Sequence, residues 1–206
     1  MNLEETVFGT EDQALRSTHA PLSTEPSVLG MTNYGIALGS NLGDRLANLQ
    51  RGLGEVLAGM EGAQLIAAGA VYETAPVGCP PGSLSFYNSV VEIASPLAPH
   101  ALHRVLQAVE KKLGRHENGE RNAPRPLDLD ILYAGNLRLN DELLTIPHPR
   151  LHSRRFVLQP LADIRPERVL PGQTKTVAQL LAALVDPAEV RRVSAGWTEK
   201  PFIKEA

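Results

Sequence analysis

The chain has 206 residues, 43% of them hydrophobic and 21% charged, with a formal net charge of −3. That is enough apolar material for one domain with a real core, with or without tails, and the charge balance excludes a global basic field that would gather nucleic acid or anionic membrane. A single cysteine, Cys79, excludes an internal disulfide and suits a reducing compartment, and no apolar run approaches the ~20 residues of a membrane helix.

The opening stretch, "MNLEETVFGTEDQALRSTHAPLSTEPSVLGM", is rich in Ser, Thr, Glu and Pro and has no compact apolar core of a signal peptide. Residues 1–31 are expected to form a disordered extension. Order is expected from Asn33. "YGIAL" (34–38) reads as a short buried strand that runs through the turn "GSNLGDR" into a helix. Leu46, Leu49, Leu53, Val56 and Leu57 share a face of that helix, with Asp44 or Asn41 as N-cap. Gly52, Gly54 and Gly59 weaken it, so packing must hold it. Residues 63–74 read as a second strand and 86–95 as a third, joined by a Pro/Gly-rich connection. A helix follows from Pro99, at its first position, to Leu113, with Gly114 just past its end. The polar loop 114–126 leads to the strand in "RPLDLDILYAG" (125–135). "AGN" (134–136) is expected to turn that strand into a hairpin partner, "LRLN". Helices are expected over 155–162 and 176–184. Strand–helix–strand–strand–helix–strand is the order of a ferredoxin-like βαββαβ unit. The fold class expected is therefore α+β (an α/β three-layer arrangement), with extra C-terminal helices on the second face of the sheet. The folded unit is expected over 32–190, with 191–206 as a C-terminal tail.

In "LDLDIL", Asp128 and Asp130 fall on one face of the strand, with Cα atoms roughly 6.6 Å apart. At an effective dielectric near 20 the two carboxylates repel by about 3 kcal/mol. A solvated edge strand would tolerate that. An otherwise apolar strand preceded by Arg115, Arg121 and Arg125 points instead to a Mg²⁺–nucleotide site, because Mg²⁺ takes one or two carboxylates together with substrate phosphates. Arg115 and Arg125 bracket the polar loop, and their planar forks suit phosphate oxygens; the same loop read alone is a charged connector. "PHPRLHSRRF" (147–156) carries His148, Arg150, His152, Arg154 and Arg155. Zinc is disfavoured there because Pro147 and Pro149 oppose a helix and no cysteine lies near. A phosphate-contacting His with an Arg is the functional alternative to a surface turn. Phe86 and Phe156 are either core filling or two aromatic faces for a flat heterocycle. "GSNLGD" lacks the lysine of a P-loop and reads alone as a plain turn.

Taken in order, "YGIALGSNLGD", "VYETAPVG", "FYNSVVEI", "LHRVLQAVEKKLGR", "APRPLDLDILYAG" and "IPHPRLHSRRFVLQPLADI" resemble the 6-hydroxymethyl-7,8-dihydropterin pyrophosphokinases of folate biosynthesis. The resemblance covers about Asn33 to Pro171. It implies a diphosphokinase that moves the β,γ-diphosphate of ATP to the pterin hydroxymethyl group and leaves AMP. It implies that Asp128 and Asp130 hold two Mg²⁺ ions on the ATP phosphates and that Arg115 and Arg125 contact those phosphates. Glu110, His148 and Arg154 are implied near ATP. Thr74, Pro76, Val77, Phe86, Asn88 and Phe156 are implied around the pterin, with the two phenylalanines stacking on its ring and Asn88 reading its polar edge. The loop departs from some relatives, with Glu117 and Asn122 in place of a basic residue and a tryptophan. A cytoplasmic monomer acting on small molecules, without nucleic acid or membrane partners, is the expectation. Two readings remain beside this one: another Mg²⁺-dependent phosphotransferase with a two-Asp strand, and a ferredoxin-like RNA-binding module. The acidic balance and the absence of the aromatic RNA-binding strand signature oppose the second.

Overall fold

The computed structural model describes residues 30–76, 82, 84–115, 124–186, 188–193 and 197. Val77, Cys79, Glu117, Arg121, Asn122 and residues 1–29 lie outside the described residues.

The chain runs β1 (Thr32–Ser40), α1 (Arg45–Ala58), β2 (Gln64–Ala68), β3 (Tyr72–Thr74), β4 (Phe86–Ser95), α2 (Pro99–Lys112) and β5 (Asp128–Ala134). β6 (Leu139–Asn140), β7 (Thr145–Ile146), α3 (Arg155–Ile164), α4 (Val177–Ala183) and β8 (Val190–Arg192) follow. The main sheet has the order β5-β1-β4-β3-β8, with β2 also paired to β4. Every pairing in it is antiparallel. With β2 and β3 taken as one broken strand, this is the strand order of the expected ferredoxin-like core.

Local chemistry accounts for the main elements. Asp44 caps α1, its Oδ1 accepting from the Ala47 N–H at 3.0 Å, and Pro99 occupies the start of α2. Gly114, at φ 96°, lets the chain leave α2 through a left-handed residue. Alternation in the strands separates the two faces. Ile36, Leu38, Leu129 and Ile131 join Leu49, Leu53, Leu102 and Leu106 beneath α1 and α2. Val90, Leu132 and Tyr133 pack with Val157, Leu158, Leu161 and Val177 beneath α3 and α4. The result is the expected three-layer arrangement. The α3 face also buries a carboxylate. Glu92 is fully enclosed; it accepts from Tyr133 Oη at 3.1 Å and pairs with Arg165 at the end of α3. Arg168 lies over the Tyr133 ring at 4.2 Å.

Three expectations are corrected. The strand expected over 63–74 is two strands, because the chain bends at Gly69 under α3. A Cβ there would stand 2.4 Å from the Pro160 carbonyl oxygen, and Asp163 takes the Ala70 N–H at 3.0 Å. The hairpin partner expected for β5 pairs instead with β7 in a separate two-stranded sheet. The segment after Pro147 runs past β5 in its place, the His148 N–H donating to the Leu132 carbonyl at 2.8 Å. The boundary expected at 190 falls inside β8, which pairs with β3 and so extends the sheet. Among the described residues, no helix is long and apolar enough to cross a membrane.

Candidate active site

The pleat of the sheet builds the floor of an open cleft. Ala37 and Gly39 of β1 lie opposite Asp130 and Asp128 of β5. Gly39 is also opposite Asn88 of β4, and Thr74 is opposite Phe86. Each of these residues lines the cleft. Both aspartates therefore share a face, as the alternation predicts, and the residues beside them are the smallest on the sheet. The roof comes from the segment preceding α3 and its first turn, through His148, Arg154, Phe156 and Val157. Arg125 closes one side.

Acidic and basic groups are interleaved at one end. Arg115 Nη1 and Arg125 Nη1 each stand 2.9 Å from Asp128 Oδ1. The Asp130 carboxylate, open to the cleft, accepts no hydrogen bond from the described residues. Crowding by the surrounding protein and the charge of Asp128 raise its pKa. Burial lowers the pKa of His148, an effect that Asp130 opposes. The His148 ring accepts the Arg150 N–H at Nδ1, 3.2 Å away, so a neutral ring carries its proton on Nε2. Burial, then the charge of Arg150, lowers the pKa of Arg154, whose guanidinium carbon is 5.4 Å from the Phe156 ring centroid. Among the described residues no three His, Cys, Asp or Glu side chains gather as a metal cage. Two carboxylates alone leave most of a cation's coordination to another molecule's oxygens or to water, which is the habit of Mg²⁺ rather than of zinc.

The other end is apolar and amide-lined. Asn88 is buried, and its Nδ2 donates to Thr74 Oγ1 at 2.7 Å. Asn88 Oδ1 faces the space above Gly39, where a Cβ would stand 3.0 Å from it. Phe86 and Phe156 enter the same cleft from opposite layers, sheet and helix.

Not every expected residue is brought here. Glu110 does not line the cleft. It is buried behind it, where Oε1 takes the Leu129 N–H at 2.8 Å and pairs with Arg115. Burial outweighs those two contacts and pushes its pKa up to about 7. Arg115 reaches the site through Asp128. Burial works against its charge, but Glu110 and Asp128 outweigh burial and raise its pKa. Pro76 is absent from the lining, and Ala75 is present. His152 and Arg155 also stay outside the lining; Arg155 caps the C-terminal segment through the Leu184 carbonyl at 2.9 Å. Asn41 carries a contact that its motif alone does not reveal. Its Oδ1 accepts the Arg125 N–H at 2.8 Å, and its own N–H donates to the Arg125 carbonyl at 3.2 Å. The turn "GSN" thus clamps the backbone of a cleft arginine. The sequence offers only an Asn in a strand-to-helix turn; its full burial is seen in the structure.

Fold and cleft together define a ferredoxin-like α+β protein with an acidic pair and a cluster of cations facing an aromatic-amide wall. The profile of the 7,8-dihydro-6-hydroxymethylpterin-pyrophosphokinase family matches residues 35–166, and the chain belongs to that family. A 2-amino-4-hydroxy-6-hydroxymethyldihydropteridine pyrophosphokinase of Methylorubrum extorquens is 40% identical over 163 residues, 79% of this chain and 99% of that protein. A folate synthesis bifunctional protein of Arabidopsis thaliana is 43% identical over 129 residues, 63% of this chain and 26% of the plant protein. The chain thus spans about a quarter of the length of that relative. In solved structures, the HPPK-DHPS of Plasmodium falciparum superposes with a TM-score of 0.56 at 16% identity, covering 74% of this chain and 43% of the parasite chain. At that identity the likeness speaks for the fold. The family and fold expected from the sequence are both met.

Proposed function

We propose that this chain transfers the β,γ-diphosphate of ATP to the hydroxymethyl group of 6-hydroxymethyl-7,8-dihydropterin, leaving AMP. The observation that carries this reading is the single cleft in which Asp128, Asp130, Arg125, His148 and Arg154 face Phe86, Asn88 and Phe156. The charged end suits a triphosphate and the other end a flat heterocycle. The Methylorubrum extorquens relative, nearly all of which this chain covers, is a pyrophosphokinase by name.

In the transfer, the pterin hydroxyl oxygen bonds to the β-phosphorus, the bond from that phosphorus to the α-phosphate oxygen breaks, and the hydroxyl proton passes to water in the open cleft. Such a displacement needs alignment and charge neutralisation more than covalent help. Arg115 and Arg125 supply guanidiniums at the phosphate end, Arg154 adds a third, and His148 offers its Nε2 proton as a donor. Asp128 and Asp130 would hold Mg²⁺, two ions by the family likeness, which when bound neutralises phosphate charge. The fit rests on the Asp130 carboxylate having no hydrogen-bond donor among the described residues. Phe86 and Phe156 grip the ring, and Asn88, held by Thr74, offers its amide oxygen to the ring's donor edge. Glu110 serves indirectly, by fixing Arg115 and the backbone of β5. The lone cysteine fits the reducing cytoplasm.

Incubation with ATP, Mg²⁺ and the hydroxymethyl-dihydropterin should yield AMP and the pterin diphosphate in equal amounts. ADP as the nucleotide product, or no pterin-dependent turnover, would overturn the assignment.

A further inference from the structure

A dense polar cluster outside the cleft lies on the opposite face of the β3–β4 pair. Arg45 opens α1. Its Nη1 donates to Glu73 Oε1 at 2.9 Å and to the carbonyl and Oγ of Ser85, both at 2.8 Å. Its guanidinium carbon stands 3.7 Å from the Tyr87 ring centroid. Ser85 Oγ donates to Glu73 Oε1 at 2.7 Å, and Arg191 of β8 takes Oε2. These donors hold the Glu73 carboxyl down at about 2, so the network stays ionised throughout the working pH range.

Its position gives the cluster a function. Glu73 is paired with Tyr87, and the next pair, Thr74 with Phe86, is the last rung of the ladder. Period-two alternation turns Thr74 and Phe86 to the cleft and Glu73 and Tyr87 to Arg45. No further β3–β4 pair follows that rung, and a ladder end with no tie frays. Arg45, Glu73 and Ser85 tie the legs to each other and to the start of α1, within one residue of two cleft walls.

We propose that Arg45, Glu73 and Ser85 form a positioning set that holds Thr74 and Phe86 in place and thereby tunes affinity for the heterocycle rather than for the nucleotide. This rests on the proposed function. The test is a pair of Michaelis constants, one for the pterin and one for ATP, in Arg45→Met, Arg45→Lys and Ser85→Ala. Arg45→Met keeps an apolar chain over Tyr87 and removes the charge and donors. Small displacements of binding groups carry large kinetic costs. The pterin constant should rise about tenfold in Arg45→Met and about threefold in Ser85→Ala, with partial recovery in Arg45→Lys, while the ATP constant moves less than about twofold. A general structural role would raise both constants together, and that result refutes the proposal, as does an unchanged pterin constant. If Arg45→Met fails to fold, Ser85→Ala, which removes one oxygen, decides by the same readout. A wild-type chain without pterin-dependent turnover overturns the underlying activity and the proposal with it. An active wild type with unaltered variants overturns only the positioning set.

Discussion

Replacing Gly39 with alanine puts one methyl group on the floor of the cleft. The new Cβ would stand 3.0 Å from Asn88 Oδ1, 3.8 Å from Asp128 Cβ and 3.9 Å from Phe86 Cδ1. A carbon–oxygen contact settles at about 3.3 Å or more, so the amide must retreat by a few tenths of an ångström. Asn88 has little room to do so, because its Nδ2 is bound to Thr74 Oγ1 at 2.7 Å. The backbone itself poses no obstacle. Gly39 sits in β1, paired on both sides, in a conformation that alanine adopts freely. Alanine should then gain about 0.4–1 kcal/mol from a less flexible unfolded chain, against about 1–3 kcal/mol for overpacking. The net loss of about 0–2.6 kcal/mol leaves the fold intact, given typical stabilities of about 5–15 kcal/mol. The ligand effect is larger and one-sided. The methyl takes space from the ring and displaces the amide that reads it, which should weaken pterin binding by about tenfold or more, or at least about 1.4 kcal/mol. The Asp128 contact is an ordinary one, so the nucleotide end is undisturbed. Calorimetric titration with the pterin and, separately, with a non-hydrolysable ATP analogue and Mg²⁺ measures both, with a thermal melt confirming the fold. Unchanged pterin affinity in the folded variant would refute the placement of the ring over Gly39; an equal loss for the nucleotide would refute the division of the cleft.

Asp130→Ala should reduce turnover by at least about a hundredfold, as loss of a charge-organising group in a transfer site does. The ligand-free protein should melt at an unchanged or slightly higher temperature, because the variant removes a carboxylate that Asp128 repels; near-normal turnover would end the metal assignment. Glu110→Gln tests the buried carboxyl. Its folded pKa of about 7 lies above its ordinary value of 4.5, so the stability it confers is full below the ordinary value and is lost as pH rises toward 7. At about 1.4 kcal/mol per pH unit, the wild type should lose about 3 kcal/mol across that window through this one group, and the glutamine variant should not. Chemical denaturation of both proteins at several pH values gives the difference, and a difference independent of pH would show that Glu110 does not titrate there.

Much of this protein follows from spacing along the chain. Period two in "LDLDIL" places Asp128 and Asp130 together and buries Leu127, Leu129 and Ile131 opposite them, because side-chain direction in a strand is a local property. Asp44, Pro99 and Gly114 mark helix ends for equally local reasons, and their order along the chain fits one core topology. Other features depend on which elements cross in space. Helix α3 presses on Gly69 and splits a strand that reads as continuous, and β8 joins the sheet where a tail was expected. Glu110, a cleft candidate by its place before Arg115, turns to the backbone of β5 because α2 packs against that strand. Asn41 meets Arg125, Arg45 meets Ser85, and Phe86 shares a cleft with Phe156 across gaps that no periodicity encodes. A sequence pattern reports the direction of each side chain from its own backbone; the partner it finds there is settled when the layers close and buried polar groups must be satisfied.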